Sequence, residues 1–214
     1  MAPDDAKYRA GSDSSLVVLI AANLAALAVA YGTGMGLRNL MLIYWIQSVI
    51  IGLCTVARIV SLASFSTDNF RMNGQPVEAS AATKRRVAFF FVVHYGIFHA
   101  VYLVFVAFGP QRGGELGSPL GYVVCALVFA ANHGYSLLHN LRRDAQGRPN
   151  IGTLMFLPYA RILPMHLTIL AGGALFGGAF AFFLFGILKT LADVVMHAIE
   201  HYVLGARRLA PPSP

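Results

Sequence analysis

Charged residues are scarce in this chain of 214 residues, of which 12% are charged and 57% are hydrophobic. A soluble domain carries about twice that charged fraction, so the composition excludes an ordinary water-soluble protein. Cysteine is also scarce. Cys54 and Cys125 lie inside apolar runs without CxxC spacing, which favours free thiols. The sequence has no Gly-x-Ser-x-Gly, His-Glu-x-x-His or phosphate-cradling glycine motif, and hydrolase, metalloprotease and nucleotide-binding functions therefore lack support.

Long apolar runs are abundant. A helix needs about 20 apolar residues to cross the hydrocarbon core of a bilayer, and six stretches meet that length: 16–33, 40–65, 87–108, 119–141, 152–175 and 179–203. The sequence therefore predicts an all-α polytopic membrane protein, with a single domain of six transmembrane helices over 16–203. Residues 1–15 are expected to form an N-terminal segment without signal-peptide features. Residues 204–214, which end in Pro-Pro-Ser-Pro, are expected to be a disordered tail.

The cationic residues outside the spans are distributed unevenly. Eleven lie at the termini and in alternate connections: Lys7, Arg9, Arg71, Lys84, Arg85, Arg86, Arg142, Arg143, Arg148, Arg207 and Arg208. The other connections carry two, Arg38 and Arg112. The positive-inside rule then places both termini in the cytoplasm. The net charge of +7 comes mainly from Lys and Arg in the connections, where they would contact anionic lipid headgroups. The expected partner is therefore the bilayer and not nucleic acid. The longest connection, 66–86, has Asn73-Gly74 as a turn signal and is predicted to hold a short hairpin or to be mobile.

Polar residues inside the spans are costly unless they find a partner, water or a ligand. They are Gln47, Arg58, His94, His99, Asn132, His133, Arg161, His166, Lys189, Asp193 and His197. The helical rise places His94, His133, Asp193 and His197 about 9 to 15 Å from the cytoplasmic boundary. Three imidazoles and a carboxylate in one layer predict a metal site with these four residues as ligands. Zinc suits them best, with iron, copper or nickel as alternatives.

Other uses of the same residues stay open. Lys189, Asp193 and His197 recur every four residues and form one polar stripe on the sixth helix. Asp193 could instead form a salt bridge with Lys189, Arg58 or Arg161. His94 and His99 lie about 140° apart around the third helix, so His94 is expected to serve the site and His99 to contact a neighbouring helix.

Three functions follow from these alternatives: a metal-binding protein, a proton- or ion-coupled transporter, or a structural subunit whose polar core fixes helix packing. The residues do not decide whether the chain is an enzyme. No nucleotide or flavin motif is present, and a homo-oligomer is compatible with the pattern.

Five sequence blocks resemble a known family. They are Leu42-Ile43-Tyr44-Trp45 with Val49-Ile50-Ile51-Gly52, His94-Tyr95-Gly96 with Phe98, Asn132-His133-Gly134-Tyr135-Ser136, Met155-Phe156-Leu157-Pro158-Tyr159-Ala160-Arg161 with His166, and Leu188-Lys189-Thr190-Leu191-Ala192-Asp193 with His197. On these blocks the chain is similar to the bacterial integral membrane proteins of the domain of unknown function 6498 family. The resemblance implies a bacterial inner-membrane location and candidate positions, but no activity. The family often has an acidic residue where this chain has Gln47.

Overall fold

The computed structural model describes residues 36–108, 116–172 and 179–206, together with positions 17, 20, 21, 24, 27, 28, 31 and 32. Its helices are α1 (Leu37–Ser61), α2 (Ala81–Phe108), α3 (Pro119–Ala145), α4 (Ile151–Gly172) and α5 (Ala179–Ala206). The described positions between 17 and 32 are also helical. The prediction of an all-α protein is confirmed. Helix α5 includes residues 204–206 of the predicted tail, whereas 1–15 and 207–214 lie outside the described residues.

Three of these helices, α1, α2 and α3, are long and apolar enough to cross a membrane, within the part of the chain that the structure describes. Their large apolar side chains point outward: Phe89, Phe108 and Leu120 each leave more than 70% of their surface exposed. Continuous apolar surface of this kind is unfavourable in water and marks contact with lipid or protein. The exposed faces therefore agree with the prediction of a membrane protein.

The chain divides into two units, residues 36–162 and residues 1–35 with 163–214. In the first unit α1 contacts both α2 and α3. Helix α2 is antiparallel to α1, since the Trp45 indole donates to the carbonyl of His99 and Arg38 Nε donates to that of Val106, 3.1 Å away. Helix α3 is parallel to α1, because α1 contacts residues of α3 that advance in the same order along the chain. The three helices thus alternate in direction.

Helices α1 and α2 approach closely at Gly52. A Cβ atom there would lie 2.6 Å from Cε1 of Tyr95, so only glycine leaves room for the ring. Ser48, one turn earlier, is hydrogen bonded to the Tyr95 hydroxyl at 2.9 Å, and that hydroxyl donates to the carbonyl of Ser48 at 3.0 Å. Both the ring and the hydroxyl group of Tyr95 therefore contact α1.

The connection between α1 and α2 covers residues 62–80 instead of the predicted 66–86. Helix α1 ends at Ser61 instead of residue 65, and the carbonyl of Leu62 accepts a hydrogen bond from Lys84 Nζ at 2.8 Å. Ser80 caps α2 by accepting from the backbone N–H of Thr83 at 3.1 Å, a favourable N-cap arrangement. Because α2 begins at Ala81, Lys84 and the two arginines that follow it lie on the helix and not in the loop.

The predicted hairpin is present in this connection. Strands β1 (Arg71–Met72) and β2 (Gln75–Pro76) are antiparallel and are joined by Asn73 and Gly74, whose φ angles are 51° and 78°. Positive φ at both turn residues is the conformation that an Asn-Gly pair adopts readily. The sequence signal therefore identified the turn correctly.

Two connections at this end of the unit are joined by a clamp, which we define as Ser66 with Pro149, Asn150 and Ile151. The backbone N–H of Ser66 donates to the carbonyl of Pro149, and the N–H of Ile151 donates to the carbonyl of Ser66, both at 3.0 Å. The Asn150 side chain donates to the carbonyl of Asp68 and accepts from the N–H of Thr153, capping α4. The clamp ties the start of α4 to the chain that leaves α1.

In the second unit, the helical positions before residue 33 pack on α5. A Cβ atom at Gly186 would lie 2.6 Å from Leu27 Cδ1, and the rings of Tyr31 and Phe183 have centroids 5.0 Å apart. Small residues permit such close approach between apolar helices. The glycine-rich connection between the predicted fifth and sixth spans lies largely at 173–178, outside the described residues.

We predict that Gly52→Ala lowers the stability of the protein, whereas Gly96→Ala does not. The new methyl group at position 52 must displace the Tyr95 ring, at a cost of about 1–3 kcal/mol. At Gly96 nothing lies within 4 Å of the added carbon, and alanine favours the helix. Thermal unfolding of the purified proteins in detergent should separate the two variants. Equal melting temperatures would contradict the close packing at Gly52.

Candidate functional site

The four predicted metal ligands are distributed over three helices. His94 lies on α2, His133 on α3, and Asp193 and His197 on α5. The side chains of His197 and of Arg161 lie outside the described residues. Among the residues that are described, no three His, Cys, Asp or Glu side chains form a group that could hold a metal ion. The predicted ligand set, which includes His197, stays a prediction.

His133 contacts α1 through Gln47. The amide nitrogen Nε2 of Gln47 lies 3.3 Å from the imidazole Nε2 of His133. An amide N–H donates, so in this arrangement Nε2 of His133 accepts the hydrogen bond. The amide of Gln47 therefore serves as a hydrogen-bond partner between α1 and α3.

His94 is held by Tyr159 of α4. Its Nδ1 atom and the Tyr159 hydroxyl are 2.9 Å apart. The imidazole stacks on Phe90, with ring centroids 5.0 Å apart, and meets the edge of Phe98. The other nitrogen, Nε2, has no hydrogen-bond partner among the described residues, and the side chain is exposed. His94 is therefore oriented by one nitrogen and available at the other.

His99 lies in a different environment on the same helix. It is only 6% exposed, and its Nδ1 atom donates to the carbonyl of Tyr95 at 2.8 Å. The imidazole packs against the rings of Tyr95 and Trp45, with centroid distances of 4.3 and 6.2 Å. This histidine fills the interface between α1 and α2. The structure thus separates an exposed histidine from a buried one five residues later.

Lys189 and Asp193 form an ion pair along α5, with both side chains buried. This is one of the internal salt bridges that the sequence left open for Asp193. A charged pair four residues apart on one helix keeps its net charge near zero, which lowers the cost of placing both groups among apolar residues. Any other role of Asp193 must coexist with this contact or replace it.

Arg58 pairs with Asp144, which sequence reasoning missed. Two guanidinium nitrogens face the two carboxylate oxygens, with Nη2 at 2.9 Å from Oδ1, and the side chains are 11% and 6% exposed. Planar bidentate contacts of this type are the strongest arginine–carboxylate geometry. In the sequence, Asp144 follows Arg142 and Arg143 and resembles part of a solvated loop. Its position only one helical turn after the apolar run could have indicated that it still lies on the helix.

The remaining predicted positions are divided between the units. Asn132 is exposed on α3, and His166 is half-buried on α4 in the second unit. Ser48, which no sequence signal singled out, is buried and hydrogen bonded to the buried Tyr95. Within the described residues, Gln47 and Arg58 of α1 and His94 of α2 are bonded to side chains of other helices.

We predict that Asp144→Ala destabilises the protein by about 3–5 kcal/mol, because it leaves the Arg58 guanidinium buried without its counter-ion. The double variant Arg58→Met with Asp144→Leu should recover most of that loss, since apolar replacement of a buried pair removes the unpaired charge. Thermal unfolding in detergent measures both. A single variant as stable as the wild type would show that the ion pair does not hold α1 to α3.

Comparisons with known proteins give one match. No curated protein and no solved structure matches the sequence. The model of a protein family of unknown function, DUF6498, matches residues 5–208. That range contains all of the helices and all of the candidate residues described above. The chain belongs to the DUF6498 family.

Proposed function

We propose that the chain spans the cytoplasmic membrane of a bacterium six times, with both termini inside. Two observations support this topology. Helices α1, α2 and α3 alternate in direction, as consecutive spans must. Lys84 near the start of α2, Arg142 near the end of α3 and Arg71 in the connection after α1 all lie on one side of the first unit, and that side should face the cytoplasm.

Cysteine labelling tests the topology. With Cys54 and Cys125 replaced by alanine, a membrane-impermeant maleimide should label Leu116→Cys in intact cells but spare Glu78→Cys and Ser213→Cys. All three should react once the membrane is permeabilised. Labelling of Glu78→Cys in intact cells would reverse the orientation. Labelling of Ser213→Cys together with Leu116→Cys, but not of Glu78→Cys, would mean an odd number of spans after residue 78.

The function that we propose is binding of a divalent transition metal, with zinc as the first candidate, by His94, His133, Asp193 and His197. The observation that supports this proposal most directly is the hydrogen bonding of His94. Histidines that bind metals usually hydrogen bond through one nitrogen to a neighbouring group, which fixes the ring and leaves the other nitrogen for the metal. The contact of Nδ1 with Tyr159, together with the open Nε2, has this form.

The other proposed ligands fit a metal less simply. His133 would have to release the Gln47 amide from Nε2 before that nitrogen could bind an ion. Asp193 would share its carboxylate with the Lys189 ammonium. Both exchanges are chemically feasible, because imidazole and carboxylate are strong zinc ligands compared with an amide hydrogen bond. They make His94 the residue on which the proposal is tested most directly.

We predict that the purified wild-type protein contains about one zinc or related metal ion per chain, and that His94→Ala removes most of it. His99→Ala is the matched control, since it makes the same change on the same helix at a histidine whose nitrogen is already bonded to the backbone. Elemental analysis of the three proteins, purified identically and without added chelator, gives the metal content.

His99→Ala should keep the metal of the wild type, even where its melting temperature falls because a buried side chain is lost. Equal loss of metal in the two variants would mean that folding, and not ligation, determines the content. A wild-type protein that carries no metal, and binds none when zinc is added, would overturn the proposal. It would leave ion-coupled transport or a structural role as the function of the polar residues.

A further inference from the structure

Within the part of the chain that the structure describes, helix α3 buries few of its side chains. Asp144, next to its last residue, is the one buried residue of the helix. The side of α3 that faces α1 is marked by Tyr122, His133 and Asp144, which contact Asn39, Gln47 and Arg58. The remaining sides of this span are exposed. A membrane would cover apolar side chains there, but it offers polar ones no partner.

Three of the exposed polar residues of α3 lie in one row: Asn132, Ser136 and His139. At 100° per residue they fall within about 60° of one another around the helix axis. The centre of this row is about 90° away from the side that contacts α1. We call these three residues the polar row. It is therefore a separate face of α3 and not the edge of the α1 contact.

Depth makes Asn132 the critical member of the polar row. Helix α3 runs from Pro119 to Ala145, so Asn132 lies at its midpoint, about 20 Å from either end. A short amide side chain cannot reach the headgroups from there. His139, by contrast, is close enough to the end to extend toward them. An amide exposed to hydrocarbon costs several kcal/mol unless it is hydrogen bonded.

Within the described helices, Ser136 does not make the hydrogen bond to its own helix backbone that other hydroxyl groups make. Thr55 and Thr190 donate to the carbonyl four residues earlier, at 2.9 and 2.8 Å. The described residues provide no corresponding bond for Ser136. Both members of the row inside the apolar span thus have hydrogen-bonding capacity that the described residues do not use.

We propose that the polar row of α3 is the interface through which two copies of this chain associate. Amide and hydroxyl groups both donate and accept, so two rows related by a two-fold axis can satisfy each other without any additional partner. Interhelical bonds between such side chains hold transmembrane helices together. Cys125 and Gly121 lie on the same side of α3, about two and three turns before Asn132, and their small size permits the helix axes to approach.

Disulfide crosslinking in native membranes tests the interface. In a background with Cys54 and Cys125 replaced by alanine, mild oxidation should convert Ser136→Cys into a species of about twice the 23.0 kDa chain mass. Leu138→Cys is the matched control. It is 61% exposed, lies at nearly the same depth, and projects about 160° away from Ser136 around the helix. We expect at least a tenfold higher crosslinked fraction at position 136.

Asn132→Leu provides the second arm. The substitution keeps the approximate size of the side chain and removes its hydrogen bonds, so the dissociation constant of the dimer in detergent should rise about tenfold. Leu138→Ala, which also changes an exposed residue of α3, should leave it unchanged. Sedimentation of fluorescently labelled protein over a dilution series measures the constant. The metal content should be the same in both variants, so this test is independent of the metal proposal.

Several outcomes would overturn the interface. Equal crosslinking at positions 136 and 138 would indicate random collision. A monomer at every concentration, or a dimer that Asn132→Leu does not weaken, would show that the polar row is not the contact. A crosslinked product of another mass would assign the row to a different protein.

Discussion

The contact of Tyr95 with Gly52 and Ser48 sets the distance between α1 and α2, and much of the first unit depends on it. With glycine beneath the ring, the two helices come close enough for Trp45 to reach the backbone of α2 and for His99 to fill the space between them. Helix α1 then presents its other side to α3, where Gln47 and Arg58 find their partners. A helix in a bilayer gains little from hydrophobic burial, so such packing and hydrogen bonds carry the specificity.

The polar side chains of the spans differ in how they are satisfied. Arg58 and His133 are bonded across helices, and Lys189 is neutralised within its own helix. His94 is bonded at one nitrogen only, and Asn132 is exposed at the centre of a span. Satisfied groups explain how the helices assemble. The partly satisfied groups are where ligands or other chains can bind, which is why the two proposals rest on His94 and Asn132.

The hydropathy pattern predicted the helices well, because long apolar runs and a glycine-rich or charged break are properties of the chain itself. The Asn73-Gly74 turn was predictable for the same reason. The partners of the polar side chains were not predictable. Asp144 belongs to a charged stretch and gave no sign of reaching Arg58, since the register between α1 and α3 depends on packing. The equal depth of His94 and His133 was also insufficient to define a site, because depth says nothing about direction around a helix. The different environments of His94 and His99 became apparent only from the residues that contact them in the structure.

The clamp between Ser66 and Asn150 also has a consequence for the order of assembly. Its two halves are separated in sequence by all of α2 and α3. During synthesis the residues around Ser66 leave the ribosome first and have no partner until Asn150 follows. By then two further helices have been made. The clamp can therefore form only after both α2 and α3 have been synthesised.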